Sequence, residues 1–201
     1  MRIVGGQYRG RRLFEPRGRD VTRPTTDRVR EACASALESA LVSGIEGSSV
    51  LDAFSGSGAF GLEMISRGAA HATFYDADRS AIALVRKNIA ELKVDSRKAA
   101  TISGDVLQAA HRGRMIGAPY SCVILDPPYA FGCEPIVTLL SDLVEHELLQ
   151  DNAVILFERS GKTEQLVVEG FENLREKRYG STMVDILVYS GSHKATDGEA
   201  E

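Results

Sequence analysis

The sequence predicts an α/β fold: a mostly parallel, seven-stranded sheet with helices on both faces, an antiparallel hairpin at its C-terminal end, and a short N-terminal β-hairpin in front. Three observations predict it. Between residues 49 and 157, short apolar runs alternate with segments of helical period, the mark of strand–helix units around a parallel sheet. The strand-like runs are almost wholly apolar, as strands covered on both faces must be. Near the end, 171–178 and 183–189 are separated only by a tight turn at Gly180-Ser181, too short for a parallel crossover.

In chain order, Arg2-Ile3-Val4 and Arg12-Leu13-Phe14 flank a turn region with Gly5, Gly6 and Gly10 and read as a hairpin. Residues 15–25 are a loop rich in Pro, Gly and Arg. Thr25 or Thr26 caps the first helix, with Asp27 favourable in its first turn. Val29, Ala32, Cys33, Ala36, Leu37, Ala40 and Leu41 recur every three or four residues and form its buried face. Strands follow at 49–53, 72–75, 99–102, 120–125 and 153–157. Helices lie between them at 58–67, 79–93, 106–111 and 134–147. The expected organisation is a basic arm over 1–24, one main domain over 25–190, and a disordered polar tail over 191–201.

Composition excludes several classes. No apolar run approaches the ~20 residues of a membrane span, and the N-terminus lacks a signal-peptide core. Cys33, Cys122 and Cys133 are odd in number and scattered, so neither a disulfide framework nor a zinc site is indicated, and a cytoplasmic location is expected. The four His show no metal-ligand spacing. Net charge is −4, but unevenly spread. Residues 1–30 carry nine Arg against Glu15, Asp20 and Asp27, or +6, which leaves −10 on the remaining 171 residues. A basic arm on an acidic body suits a local polyanion contact, and Arg's planar fork suits phosphate and guanine.

Ligands of open α/β sheets bind at the carboxyl ends of the strands. Four successive strands here end in a carboxylate: Asp52, then Asp76 and Asp78, then Gly104-Asp105, then Asp126. Lone buried carboxylates are costly, so such a run points to a ligand. Gly56, Gly58 and Gly61 match G-x-G-x-x-G, with Asp76 twenty residues after Gly56, which resembles a dinucleotide site. Asp52 would repel a pyrophosphate there, however, and Asp105 has no part in hydride transfer. A ligand with an amino-acid end, a ribose and an adenine but no phosphate uses every carboxylate. Asp52 faces its ammonium, Asp76 its ribose hydroxyls and Asp105 its adenine amine. That ligand is S-adenosylmethionine, released as S-adenosylhomocysteine. The candidate cofactor set is Asp52, Phe54, Ser55, Gly56, Ser57, Gly58, Asp76, Asp78, Gly104 and Asp105.

After the fourth strand stands Asp126-Pro127-Pro128-Tyr129. Two prolines cannot continue a central strand, since neither donates to the ladder. The rigid turn offers a carboxylate, backbone carbonyls and a ring, parts that suit an exocyclic amine on a planar base. These four are the candidate catalytic residues, with Tyr129 stacking on an extruded base. A pyrimidine carbon would instead require a cysteine nucleophile. Cys122 lies inside a strand and Cys133 beyond the turn, so both are read as structural.

On the stretches Met1 to Arg11 and Arg23 to Glu31, the glycine loop and Asp126-Pro127-Pro128-Tyr129, the chain resembles the bacterial 16S ribosomal RNA guanine-N2 methyltransferase family, a class I S-adenosylmethionine-dependent group. The similarity runs over about residues 1–190. The resemblance implies a Rossmann-like methyltransferase fold and methyl transfer to N2 of a small-subunit rRNA guanine, on naked RNA or in an assembling particle. It also puts the Arg23–Glu31 segment over cofactor and RNA. Arg9, Arg11, Arg12, Arg23 and Arg28 are the candidate RNA contacts, and a monomer without metal is expected. Asp-Pro-Pro-Tyr would serve N6 of adenine equally well, so DNA or RNA adenine methylation is the competing activity. A catalytically silent RNA-binding assembly factor is the competing class.

Overall fold

The computed structural model of the chain describes residues 1–16, 26–128 and 131–191. In order these residues form α1 (Asp27–Ala40), β1 (Ser49–Asp52), α2 (Ala59–Ser66), β2 (His71–Asp76), α3 (Arg79–Leu92), a 3-10 turn (Ser96–Lys98), β3 (Ala99–Ser103), α4 (Val106–His111), β4 (Tyr120–Leu125), α5 (Cys133–Glu145), β5 (Leu149–Ser160), β6 (Phe171–Tyr179) and β7 (Thr182–Tyr189). The strand order is β3-β2-β1-β4-β5-β7-β6. The first five strands are parallel, and β7 enters antiparallel between β5 and β6. The chain winds one way from β1 to β3 and then returns past β1 to β4. The crevice therefore opens between the carboxyl ends of β1 and β4.

Strand pleating sorts the core into two layers. Val50, Phe74, Ile124, Leu156 and Ile186 point to one face, where Cys33 and Leu37 of α1, Leu62 of α2 and Val85 of α3 cover them. Leu51, Tyr75, Leu125, Phe157 and Leu187 point to the other, under Val106 of α4 and Ile136 and Leu140 of α5. The predicted elements are present with shifted ends. The largest shift is in β5, which runs from Leu149 to Ser160 because β7 pairs with it as far as Ser160↔Thr182. Thr26, not Thr25, caps α1, its hydroxyl accepting from the Val29 amide.

The N-terminal segment meets itself in one antiparallel bridge, Arg2 to Arg12, rather than in two regular strands. It is a packed layer of the molecule. Ile3 and Leu13 are buried in the first core. The Val4 amide donates to Glu63 and the Tyr8 amide to Ser66 Oγ, both on α2. Gly5 and Gly6 permit the close approach: a Cβ on Gly6 would lie 1.8 Å from the Ser66 carbonyl oxygen. Of the tail expected at 191–201, residues 192–201 lie outside the described residues.

Candidate active site

At the crevice lies a cavity of about 710 Å³, within the usual range for small-molecule sites. Asp52, Asp76, Asp105 and Asp126 all line it, with Phe54, Ser55, Gly56, Ser57, Gly104, Pro127 and Pro128. Four strand ends therefore converge on one space. Gly58 and Asp78, expected in the cofactor set, are not among its walls. Gly58 starts α2 with φ 76°, and a Cβ there would press on Val85 at 3.0 Å, so its role is backbone geometry and packing. Asp78 caps α3, accepting from the Ser80 amide and hydroxyl at 2.7 Å each. Two carboxylates two residues apart thus divide the work: Asp76 faces the cavity and Asp78 starts the helix. Tyr129 and Arg23 lie outside the described residues.

The glycine loop is braced from beneath. The Asp76 carboxylate accepts from the Gly56 amide at 2.8 Å and from the Asp78 amide at 2.9 Å. Gly56 has φ 52°, and nothing lies within 4 Å of where its Cβ would stand, so the loop leaves open space above its backbone. Among the described residues, Ser55 Oγ is a buried hydroxyl without a hydrogen-bond partner, and it sits in the cavity wall. Asp105 caps α4 through the Leu107 amide at 2.9 Å and still borders the cavity. Three carboxylates around one cavity, an open glycine loop and an unpartnered hydroxyl suit S-adenosylmethionine, whose ammonium, ribose hydroxyls and adenine amine all seek acceptors. The buried Asp52 carboxylate, held by the Gly61 amide in the first turn of α2, opposes a pyrophosphate at that helix start.

Asp52 is nearly fully buried, and burial pushes its carboxyl up to about 7, with a small addition from Asp76 and an opposing bond from the Gly61 amide. Asp126 is raised well above the usual carboxylate range, first by burial, then by repulsion from Glu158 and Asp52. The Pro128 carbonyl accepts the Phe131 amide at 2.8 Å, which closes the turn. Phe131 stands edge-on to Phe54 with ring centres 5.5 Å apart, so the two rings form one apolar wall. Cys122 is fully buried and its thiol is pushed up to about 12 by burial, which leaves no thiolate for attack on a pyrimidine carbon. Cys133 donates weakly to the Glu164 carbonyl at 3.4 Å.

Sequence reasoning missed part of the wall: Arg30 of α1, Glu158 at the end of β5, Phe131, and Met1 and Glu15 of the N-terminal layer. The strand-end rule that found Asp126 applies equally to Glu158, which directly follows the strand expected at 153–157 and was not taken up. Arg30 is buried and donates to the Arg2 carbonyl at 2.5 Å and to Asp27 at 2.7 Å, locking α1 to the N-terminal layer. Arg9, Arg12 and Arg28 are exposed. Arg11 reaches across to α3, donating to the Glu91 carbonyl at 2.8 Å. Met1 and Glu15 line both this cavity and a second one bordered by Arg2 and Arg12, so Arg2 and Arg12 adjoin the site.

The family model described as Conserved hypothetical protein 95 matches residues 1–188. Ribosomal RNA small subunit methyltransferase D of Escherichia coli is 38% identical over 159 residues, 79% of this chain and 74% of that protein. The protein of the same name from Haemophilus influenzae is 34% identical over 90% of this chain and 89% of its own length. The solved structure of Escherichia coli yhhF, 32% identical, superposes with a TM-score of 0.79 over 94% of this chain and 97% of that one. With a model spanning nearly all of its length and relatives this similar over most of theirs, the chain belongs to the Conserved hypothetical protein 95 family, the family of ribosomal RNA small subunit methyltransferase D.

Proposed function

We propose that this chain methylates the exocyclic N2 of a guanine in small-subunit ribosomal RNA, with S-adenosylmethionine as methyl donor. The observation that carries it is the convergence of Asp126 and its diproline turn on the same cavity as the three cofactor-side carboxylates. An amine held at Asp126 thereby adjoins the space suited to a methyl donor. The kinship to small-subunit rRNA methyltransferases, the exposed Arg9, Arg12 and Arg28, and the place of Arg12 in the wall of the adjoining pocket support RNA as the bearer of the amine.

The guanine amine's lone pair is spread into the ring, so the amine is a weak nucleophile. Asp126 accepts one N2–H and, with the Pro127 carbonyl, draws the nitrogen toward tetrahedral geometry. When bound, S-adenosylmethionine supplies the electrophilic methyl. Methyl transfer would break the S–CH3 bond, leave its electron pair on sulfur, and put a surplus proton on the nitrogen, already hydrogen-bonded to Asp126. A carboxyl whose proton affinity is raised accepts that proton readily. Positioning supplies much of the rate, roughly 7–11 kcal/mol in well-oriented systems. Tyr129 would stack on the base.

The test is methylation of undermodified small-subunit RNA, free and in particles, with labelled donor, and mapping of the product by mass spectrometry. N2-methylguanosine is the expected product; N6-methyladenosine would replace this activity with the competing one. Asp126→Ala should lower turnover by about 10²–10⁴-fold while donor affinity, read by calorimetry, stays within a few fold. Full activity of that variant would remove Asp126 from the chemistry.

A further inference from the structure

Asp126 has a carboxylate neighbour. β4 and β5 are parallel and in register at Leu125↔Phe157, so the next residues, Asp126 and Glu158, stand side by side at the strand ends. Leu125 and Phe157 both point into the second core, and pleating turns Asp126 and Glu158 to the opposite face. Glu158 is only 6% exposed, and what it exposes borders the cavity. Cys33 of α1 covers that face, and its thiol is raised first by burial and then by both carboxylates. The sheet order places Glu158 beyond Asp126 as seen from the glycine loop. That is the side toward which a base would extend when its amine is held at Asp126 and faces the donor.

Guanine's Watson–Crick edge carries two adjacent donors, N2–H and N1–H. Adenine presents its amine beside a bare N1 lone pair, which a carboxylate would repel. We propose that Glu158 accepts the N1–H of the target base while Asp126 accepts the N2–H, so that two neighbouring carboxylates select guanine over any purine with an unprotonated N1. The proposal rests on the guanine-N2 reading above. It makes Glu158 a specificity-determining residue and leaves bond making to Asp126.

The test replaces the target guanosine in ligated small-subunit RNA by 2-aminopurine or 2,6-diaminopurine. Both keep the amine on C2 but bear a lone pair at N1, and they differ from each other at C6. A shared loss therefore reports on N1. Wild-type kcat/KM should favour guanine over both analogues by roughly 5- to 150-fold, the worth of one good base-edge contact. Glu158→Gln, whose amide can turn either an oxygen or an NH2 to N1, should bring that ratio to within about threefold of unity, whereas Glu158→Asp should keep the preference. Donor affinity measured by calorimetry verifies that each variant is folded. A Glu158→Gln protein that loses activity on all three bases in equal proportion would overturn the proposal, as would a wild type indifferent to N1. A wild type that forms no N2-methylguanosine at all would instead overturn the functional reading on which it rests.

Discussion

Gly61 donates its backbone amide to Asp52 Oδ2 at 3.0 Å, so the first turn of α2 holds the carboxylate that ends β1. The contact explains why this position is a glycine. A Cβ on Gly61 would lie 2.3 Å from Phe74 Cε1 and 3.1 Å from Asp52 Oδ2, and the Phe74 ring is fully buried with nowhere to retreat. Gly61→Ala should therefore destabilise the protein by about 1–3 kcal/mol through overpacking. At roughly 2–4 °C per kcal/mol for a chain of this size, thermal melting should show the loss clearly. Donor affinity should fall with it, because Asp52 is displaced. Gly56→Ala is the control: nothing lies within 4 Å of the new atom, and only the left-handed backbone at φ 52° resists it, at about 1–2 kcal/mol. Equal effects on Phe74 packing, read from backbone chemical shifts, would refute the distinction.

The raised carboxyl of Asp52 makes both stability and cofactor binding depend on pH. Its ordinary value is 3.8 and its folded value about 7, so between these limits the native state holds more protons than the unfolded one. Stability must then fall as pH rises through that window and level off above it. Asp126, also raised, acts in the same sense, and His71, lowered by burial, acts in the opposite one. A bound ammonium favours ionised Asp52, so donor affinity should climb from pH 6 to pH 8 and binding should release a proton. Calorimetry in buffers of different ionisation enthalpy reads that proton directly. Asp52→Asn should flatten the affinity profile; an unchanged slope would place the ammonium elsewhere.

How far the site was legible follows from what a sequence pattern can and cannot carry. Asp52, Asp76, Asp105 and Asp126 were legible because each stands at or within three residues of the end of an apolar strand, and parallel strands share one carboxyl end. Glu158 obeys the same geometry and directly follows the strand expected at 153–157, but no glycine or proline motif beside it drew attention to it. Only long-range pairing with β7 keeps residues 158–160 in the sheet. Asp76 and Asp78 could not be told apart by spacing, since cavity and helix cap both call for a carboxylate. The N-terminal layer was half legible: its turns show in the glycines, but the burial of Ile3 and Leu13 depends on α2 and α3, some sixty to eighty residues away.

The end of β5 is held by an ion pair on the sheet face opposite Glu158. Arg159 Nε donates to fully buried Asp185 at 2.6 Å, and Nη2 reaches Glu176 at 2.7 Å, joining β5, β7 and β6. Removing one partner of a buried pair strands the other charge. Asp185→Ala should thus cost about 3–5 kcal/mol in chemical denaturation. Glu176→Ala, whose side chain is 41% exposed, should cost less than about 1 kcal/mol. Both variants should retain donor affinity when folded, because the pair lies away from the cavity. A cheap Asp185→Ala would mean that water reaches Arg159 from the other side.

The exposed arginines give the proposed RNA contact a measurable signature. Each phosphate contact releases counterions, so log K falls with log salt by about 0.9 per contact on a duplex and about 0.7 on a single strand. Replacing Arg9, Arg12 and Arg28 together by Gln should therefore weaken RNA binding and flatten the slope by roughly 2–3 if all three touch phosphate. Arg11→Gln should give a smaller change per residue, since Arg11 already spends its guanidinium on the Glu91 carbonyl at 2.8 Å and lies 3.7 Å from the Glu91 carboxylate. Donor affinity should be preserved in the triple variant, because none of the three lines the cavity. Filter binding across a salt series separates the outcomes: an unchanged slope in the triple variant would take the N-terminal arginines out of the interface and move the search to the basic residues of α3, Arg79, Arg86 and Lys87.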